Sequence, residues 1–175
     1  MDSQQSLRQG GIAISVKNPQ FSDLLRSPIL FLAFGFGSGL ASRAPGTMGT
    51  LAAIPIWLLL APLATSLYWS LVLIAFVLGI YICGAAAKKL QTHDHPGIVW
   101  DEFVGFWVVM PFMPTQGWSL LWGFVLFRLF DIVKPWPIGW LDEKVRGGLG
   151  IMLDDVVAAI YAALLVNVVN YLGYF

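Results

Sequence analysis

Charge is missing from three long stretches of this chain: Ala44 to Ala87, Phe103 to Phe127 and Val156 to Phe175 contain no Asp, Glu, Lys or Arg. The 10 basic and 10 acidic residues fall in the blocks between, Asp2 to Arg43, Lys88 to Glu102 and Arg128 to Asp155. Charged residues make up 11% of the chain, against about 25% in an ordinary soluble domain, which argues against that class. The formal net charge is zero and no basic stripe carries interleaved aromatics, so nucleic acid is not expected as a partner. One cysteine, Cys83, rules out an intrachain disulfide; it sits in an apolar run and reads as a packing residue. There is no internal repeat. A cleaved leader is not expected either, because a polar segment precedes the first apolar stretch and glycines interrupt it.

What is present is grease: 58% hydrophobic residues, eight Trp and a mean hydropathy of +0.75. A charge at the centre of a bilayer costs roughly 2.5 to 3.5 kcal/mol on insertion scales, so charges gathered into blocks mark water-facing ends. The expected fold is all-α, a polytopic membrane helical bundle of about five apolar helices. A span needs about 20 apolar residues. Met48 to Leu63 and Leu67 to Ala87 read as two spans joined at Ala64 to Ser66, and Val156 to Leu172 as the last. Ile98 to Pro111 and Trp118 to Val133, broken by Pro111, Pro114 and Gly117, are short arms: two spans or a re-entrant hairpin. Residues 1–27 read as a cytoplasmic arm and 28–175 as the membrane domain. Pro28 to Leu40, bracketed by Arg26 and Arg43, is too short to cross and reads as interfacial or re-entrant.

The bases set the orientation. Arg8, Lys17, Arg26, Arg43, Lys88, Lys89, Lys134, Lys144 and Arg146 occupy the N-terminal tail and two loops, while the turns near Ala64 and Gln116 and the C-terminus have none. These basic segments are expected in the cytoplasm. Trp57, Trp69, Trp107, Trp118, Trp122, Trp136 and Trp140 read as interface anchors.

Four segments can carry chemistry. In Gly35-Phe-Gly37-Ser-Gly39-Leu-Ala-Ser-Arg43-Ala-Pro45-Gly46-Thr47-Met-Gly49-Thr50, glycines let backbone approach a ligand, Thr47 or Thr50 can cap a helix whose amides face an anion, and Arg43 can add a phosphate contact. Tight helix packing explains the glycines equally well. In His93-Asp94-His95-Pro-Gly-Ile-Val-Trp-Asp101-Glu102, two acids open an apolar helix, pointing roughly 100° apart. The His-Asp-His run reads as a solvated loop rather than a zinc site. Arg128, Asp131 and Lys134 lie along one helical face, an arrangement that an intrahelical salt bridge alone would explain. Asp154 and Asp155 follow Gly147-Gly148-Leu-Gly150 at the inner end of another helix.

Under this topology Asp101, Glu102, Asp131, Asp154 and Asp155 meet at one end of the bundle, where their repulsion calls for a compensating cation. Oxygen-only ligands suit Mg²⁺, and the nearby bases suit phosphate. Three outward-running helices starting near Thr47, Asp101 and Asp155 would turn their positive ends to the same pocket.

Together, Phe34 to Thr50, His93 to Gly105, Phe127 to Ile138 and Gly147 to Asp155, in this order, resemble the bacterial phosphatidylglycerophosphatase A family over about Leu32 to Ala159. The resemblance implies an all-helical enzyme of the inner membrane, its active site facing the cytoplasm. It would use Mg²⁺ to cleave the terminal phosphate of phosphatidylglycerophosphate, giving phosphatidylglycerol and inorganic phosphate. The motif acids map onto Asp101, Glu102, Asp131, Asp154 and Asp155 as metal ligands, with Asp94 beside them. The expected catalytic set is Asp94, Glu102 and Asp101, with Asp94 or Glu102 orienting a water for in-line attack. Gly37, Arg43, Gly46, Thr47, Thr50, Arg128 and Lys134 are the expected phosphate contacts. A membrane cation transporter, or another Mg²⁺-dependent lipid headgroup enzyme, is the alternative. A transporter would place acids at the midplane or on both sides, and these lie at one end.

Overall fold

The computed structural model describes residues 19–92, 95–113 and 118–172, and every regular element among them is helical. Two short helices, α1 (Phe21–Leu25) and α2 (Pro28–Ala33), lead into a 3-10 turn over Gly35–Leu40. Then come α3 (Pro45–Leu60), α4 (Thr65–Leu90), α5 (Trp100–Val109), a 3-10 turn at Met110–Phe112, α6 (Ser119–Val133), the short α7 (Ile138–Lys144) and α8 (Gly148–Tyr171).

The boundaries follow local chemistry. Pro45 occupies the first turn of α3, where its missing N–H is not needed, and Ser27 Oγ caps α2 ahead of Pro28. Pro111 stops α5 after 10 residues. Gln91 ends α4 and Lys134 ends α6, both left-handed, and Pro135 blocks any continuation of α6. The expected interfacial piece Pro28 to Leu40 is two short elements, α2 and the 3-10 turn. Within the expected arm, α1 already buries Leu24 completely.

Helix α5 is apolar almost all round and lies at the centre, packed on α3, α4, α6 and α8. Its Phe103, Val104, Phe106 and Val109 are fully buried. Small residues let the neighbours close in. A Cβ on Gly105 would strike the Phe127 ring and approach the Asp155 carbonyl, and one on Gly148 would overlap the Ile80 carbonyl and the Gly84 amide. The same contacts set direction: the start of α3 meets the start of α5, and the end of α4 meets the start of α8. With α6 returning between α5 and α8, the five longer helices alternate, and one end of the bundle collects the charged blocks. Lys89 Nζ donates to Ser27 Oγ at 2.8 Å and pins α2 to that end.

Among the described residues two helices, α4 with 26 residues and α8 with 24, are long and apolar enough to cross a membrane; the expectation of a membrane bundle of about five apolar helices is corrected to these two candidate spans. Helices α3, α5 and α6, with 16, 10 and 15 residues, fall short because proline and turn residues cut them. The outward faces are apolar nonetheless, with Leu59, Leu73, Tyr81, Ile132 and Leu164 all exposed. Trp118, Trp122, Trp136 and Trp140 lie at the surface, whereas Trp107, expected as an interface anchor, belongs to the core. Its indole donates to the Ala53 carbonyl at 3.1 Å and its own carbonyl accepts from the Tyr68 hydroxyl, which ties α3, α4 and α5 together.

Candidate active site

The acids come from three helices. Asp101 and Glu102 stand in the first turn of α5, Asp131 in the last turn of α6, and Asp154 and Asp155 in the second turn of α8. Their placement follows from packing: α5 is the central helix, and the turn carrying its acids faces the sides of α6 and α8. Asp101, Glu102 and Asp155 bring one carboxylate oxygen each within 4.8 Å of one another, and Asp131, Asp154 and Asp155 form a second such triad. Asp155 belongs to both and is only 2% exposed; Glu102, Asp131 and Asp154 are buried as well.

Two bases edge the cluster. Arg128 Nη1 lies 2.7 Å from Asp131 Oδ2, the expected spacing of three, and 3.6 Å from Glu102 Oε1. Lys134 Nζ lies 2.7 Å from Asp154 Oδ2 and 3.1 Å from Asp142 Oδ2. Burial works against the Lys134 charge, but the hydrogen bonds and fields of Asp154 and Asp142 outweigh it and hold the ammonium above its ordinary value. These pairings leave part of the cluster unanswered. Asp101 Oδ1, Glu102 Oε2, Asp154 Oδ1 and Asp155 Oδ2 are buried without a hydrogen-bond partner, as is Arg128 Nε. Such acceptors are costly unless a cation meets them, so the donor set fits a hard divalent ion such as Mg²⁺.

The backbone of α3 completes the wall. A Cβ on Gly46 would overlap Glu102 Oε1 and press on both Arg128 terminal nitrogens, so only glycine admits this approach. The sequence profile of the family described as Phosphatidylglycerophosphatase A matches residues 31–170. The chain belongs to the phosphatidylglycerophosphatase A family. It is 47% identical over 152 residues to the Escherichia coli (strain K12) protein named phosphatidylglycerophosphatase A, covering 83% of this chain and 88% of that one. It is 46% identical over 156 residues to the Haemophilus influenzae protein of the same name, covering 88% and 96%. A Bacteroides thetaiotaomicron protein provisionally named phosphatidylinositol-3-phosphatase is 37% identical over 167 residues, covering 89% and 98%. No solved structure matches the chain.

In this phosphatidylglycerophosphatase A family member, the five acids expected as metal ligands come together, with Arg128, Lys134 and Gly46 beside them. Asp94 and His93 lie outside the described residues. Arg43 is exposed and Thr47 half-buried, at the start of α3. The Thr50 hydroxyl is buried and donates to the Gly46 carbonyl at 3.0 Å, a bond internal to α3. Gly37, at φ +105°, faces the Phe21 ring. Three expectations change. Asp101 and Glu102 share a triad with Asp155 although adjacent on a helix, because their turn of α5 packs against α8. Helix α8 starts at Gly148, so Asp155 lies seven residues in, about 10 Å along the axis, and the α8 amide end is not at the cluster. His95 is not solvated: it is buried against Phe34, and its Nδ1 accepts from the Gly97 amide at 3.0 Å, shaping the turn before α5.

Asp142, on α7 after the Pro-Trp-Pro break that follows α6, is a neighbour of the site that no local pattern in the sequence marks.

Proposed function

We propose that this chain is a Mg²⁺-dependent phosphoric monoester hydrolase that removes the terminal phosphate of phosphatidylglycerophosphate, at the cytoplasmic surface of the bacterial inner membrane. The observation that carries this reading is Asp155, shared by two carboxylate triads that each contain buried oxygens without a partner. The names of the two bacterial relatives supply the substrate.

The membrane setting rests on the apolar outer faces of α3, α4, α6 and α8, which water would not tolerate over so large a surface. The alternating helices keep the bases Lys88, Lys89 and Arg146 at the end that bears the acids, so the positive-inside rule turns that end to the cytoplasm. Helices α3, α5 and α6 are shorter than a full span, which suits a site sunk below the lipid headgroups. The catalytic domain then occupies residues 28–175.

The residues divide the work as follows. Asp101, Glu102, Asp131, Asp154 and Asp155 would hold the metal. When bound, Mg²⁺ polarises the phosphoryl oxygens and offsets their charge. The free amides of Gly46 and Thr47 at the start of α3 bind the monoester dianion, and Arg43 swings in from the surface beside them. Arg128 keeps Glu102 and Asp131 in position, and its unpartnered Nε is a further donor to phosphate. Lys134 fixes Asp154. Asp94, or Glu102 where it is not bound to the metal, accepts a proton from the attacking water and passes it to the departing oxygen, so that in-line displacement releases the lipid alcohol. Positioning and electrostatics supply most of the rate.

The test is phosphate release by the detergent-purified protein from phosphatidylglycerophosphate micelles. Release with Mg²⁺ that stops with EDTA supports the proposal. Cation flux in proteoliposomes without hydrolysis would overturn it in favour of a transporter.

A further inference from the structure

We propose that the site holds two divalent cations, one in each carboxylate triad, with the Asp155 carboxylate shared between them. The inference rests on the metal-dependent reading above and goes beyond it in number and placement. The donors sort into two triads rather than one group of five. An octahedral Mg²⁺ with oxygens at 2.0–2.1 Å spans about 4.2 Å between opposite ligands, so each triad, with a spread of up to 4.8 Å, is of a size for one ion and the five acids exceed it. The second observation is that unpartnered buried oxygens occur in both. Asp101 and Glu102, of one triad, have such oxygens in Oδ1 and Oε2; Asp154, of the other, has one in Oδ1; and Asp155, the residue common to both, has one in Oδ2 and is only 2% exposed.

Charge points the same way. Six carboxylates, with Asp142 on Lys134 included, against Arg128 and Lys134 leave four negative charges, which repel a phosphate monoester dianion. One divalent ion leaves the site negative by two; two bring it to neutrality. Only the second count removes the repulsion before the lipid is bound. Both bases are already committed to acids, Arg128 to Asp131 and Lys134 to Asp154, so they cannot replace the second ion.

The experiment counts ions directly. Full-length protein in detergent is stripped with EDTA, equilibrated with Mn²⁺ by dialysis and measured for bound metal and for its electron paramagnetic resonance spectrum. The wild-type protein is expected to bind two Mn²⁺ per chain with the exchange-coupled spectrum of a pair. Asp101→Asn and Asp154→Asn, each changing one triad, should reduce the count to one and give an uncoupled spectrum. Asp155→Asn should lower affinity at both positions at least tenfold. A wild-type count of one, with an uncoupled spectrum and with Mg²⁺-dependent hydrolysis intact, overturns the two-ion inference and leaves the phosphatase reading standing. No bound metal, with hydrolysis persisting in EDTA, overturns both.

Discussion

The Lys134 ammonium, at the end of α6, donates to Asp154 on α8 at 2.7 Å. Lys134 is left-handed at φ +44°, and that turn of the backbone, ahead of Pro135, aims its side chain back over the acid cluster. The spacing of Arg128, Asp131 and Lys134 suggests a stripe of one helix, but the structure uses the three differently. Arg128 pairs with Asp131 within α6 and reaches Glu102 on α5, while Lys134 bridges to α8 and to Asp142 on α7.

Replacing Lys134 by Met should leave the Asp154 carboxylate buried without its donor, at a cost of roughly 1.5–3 kcal/mol. Thermal unfolding in detergent checks this, and hydrolysis should fall with it. Asp142→Asn removes only the more exposed partner, so its cost should stay below about 1 kcal/mol.

Gly46→Ala forces a methyl group onto Glu102 Oε1 and the Arg128 guanidinium. Displacing those groups by even a fraction of an ångström should lower turnover on the order of 100-fold, the scale of a small misplacement in a preorganised site. Circular dichroism should show the helices intact.

Asp155→Asn should separate stability from activity. Phosphate release should drop by about 10²-fold or more, the scale of losing one preorganised electrostatic group. In EDTA, however, the variant should unfold at a higher temperature than wild type, because the most crowded negative charge in two triads is gone. Thermal melts with EDTA and with Mg²⁺ check the sign: added Mg²⁺ should stabilise the wild type more than the variant.

Tyr68→Phe removes the hydroxyl that donates to the Trp107 carbonyl, away from the acids. The expected result is a loss of about 1–2 kcal/mol in stability with turnover unchanged within about twofold.

Much of the site is legible without coordinates. Acids clustered at the edges of charge-free stretches have few places to go in a chain this apolar, and alternating helix direction brings Asp101, Glu102, Asp131, Asp154 and Asp155 to one end. Less is legible where three-dimensional packing overrides local pattern. The glycines before Asp154 read as a flexible approach to a helix, yet Gly148 and Gly150 lie inside α8, close against Ile80 and Val145. His95 reads as a loop residue, but a backbone amide and the Phe34 ring bury it. Trp107 reads as an anchor at an interface and is a core donor instead. Hydropathy alone overcounts the spans because it registers apolar length across turns that proline enforces. Asp142 carries no local signal, since its role depends on α7 folding back beside Lys134.

The most direct measurement is the magnetic coupling between Mn²⁺ in the site and the phosphorus of a non-hydrolysable phosphonate analogue of phosphatidylglycerophosphate, read by electron–nuclear double resonance on the detergent-purified protein. A ³¹P coupling present in wild type and lost in Asp155→Asn is the predicted result. A wild-type protein that hydrolyses the lipid yet shows no ³¹P coupling to bound Mn²⁺ would contradict a metal held by these acids and joined to the phosphate.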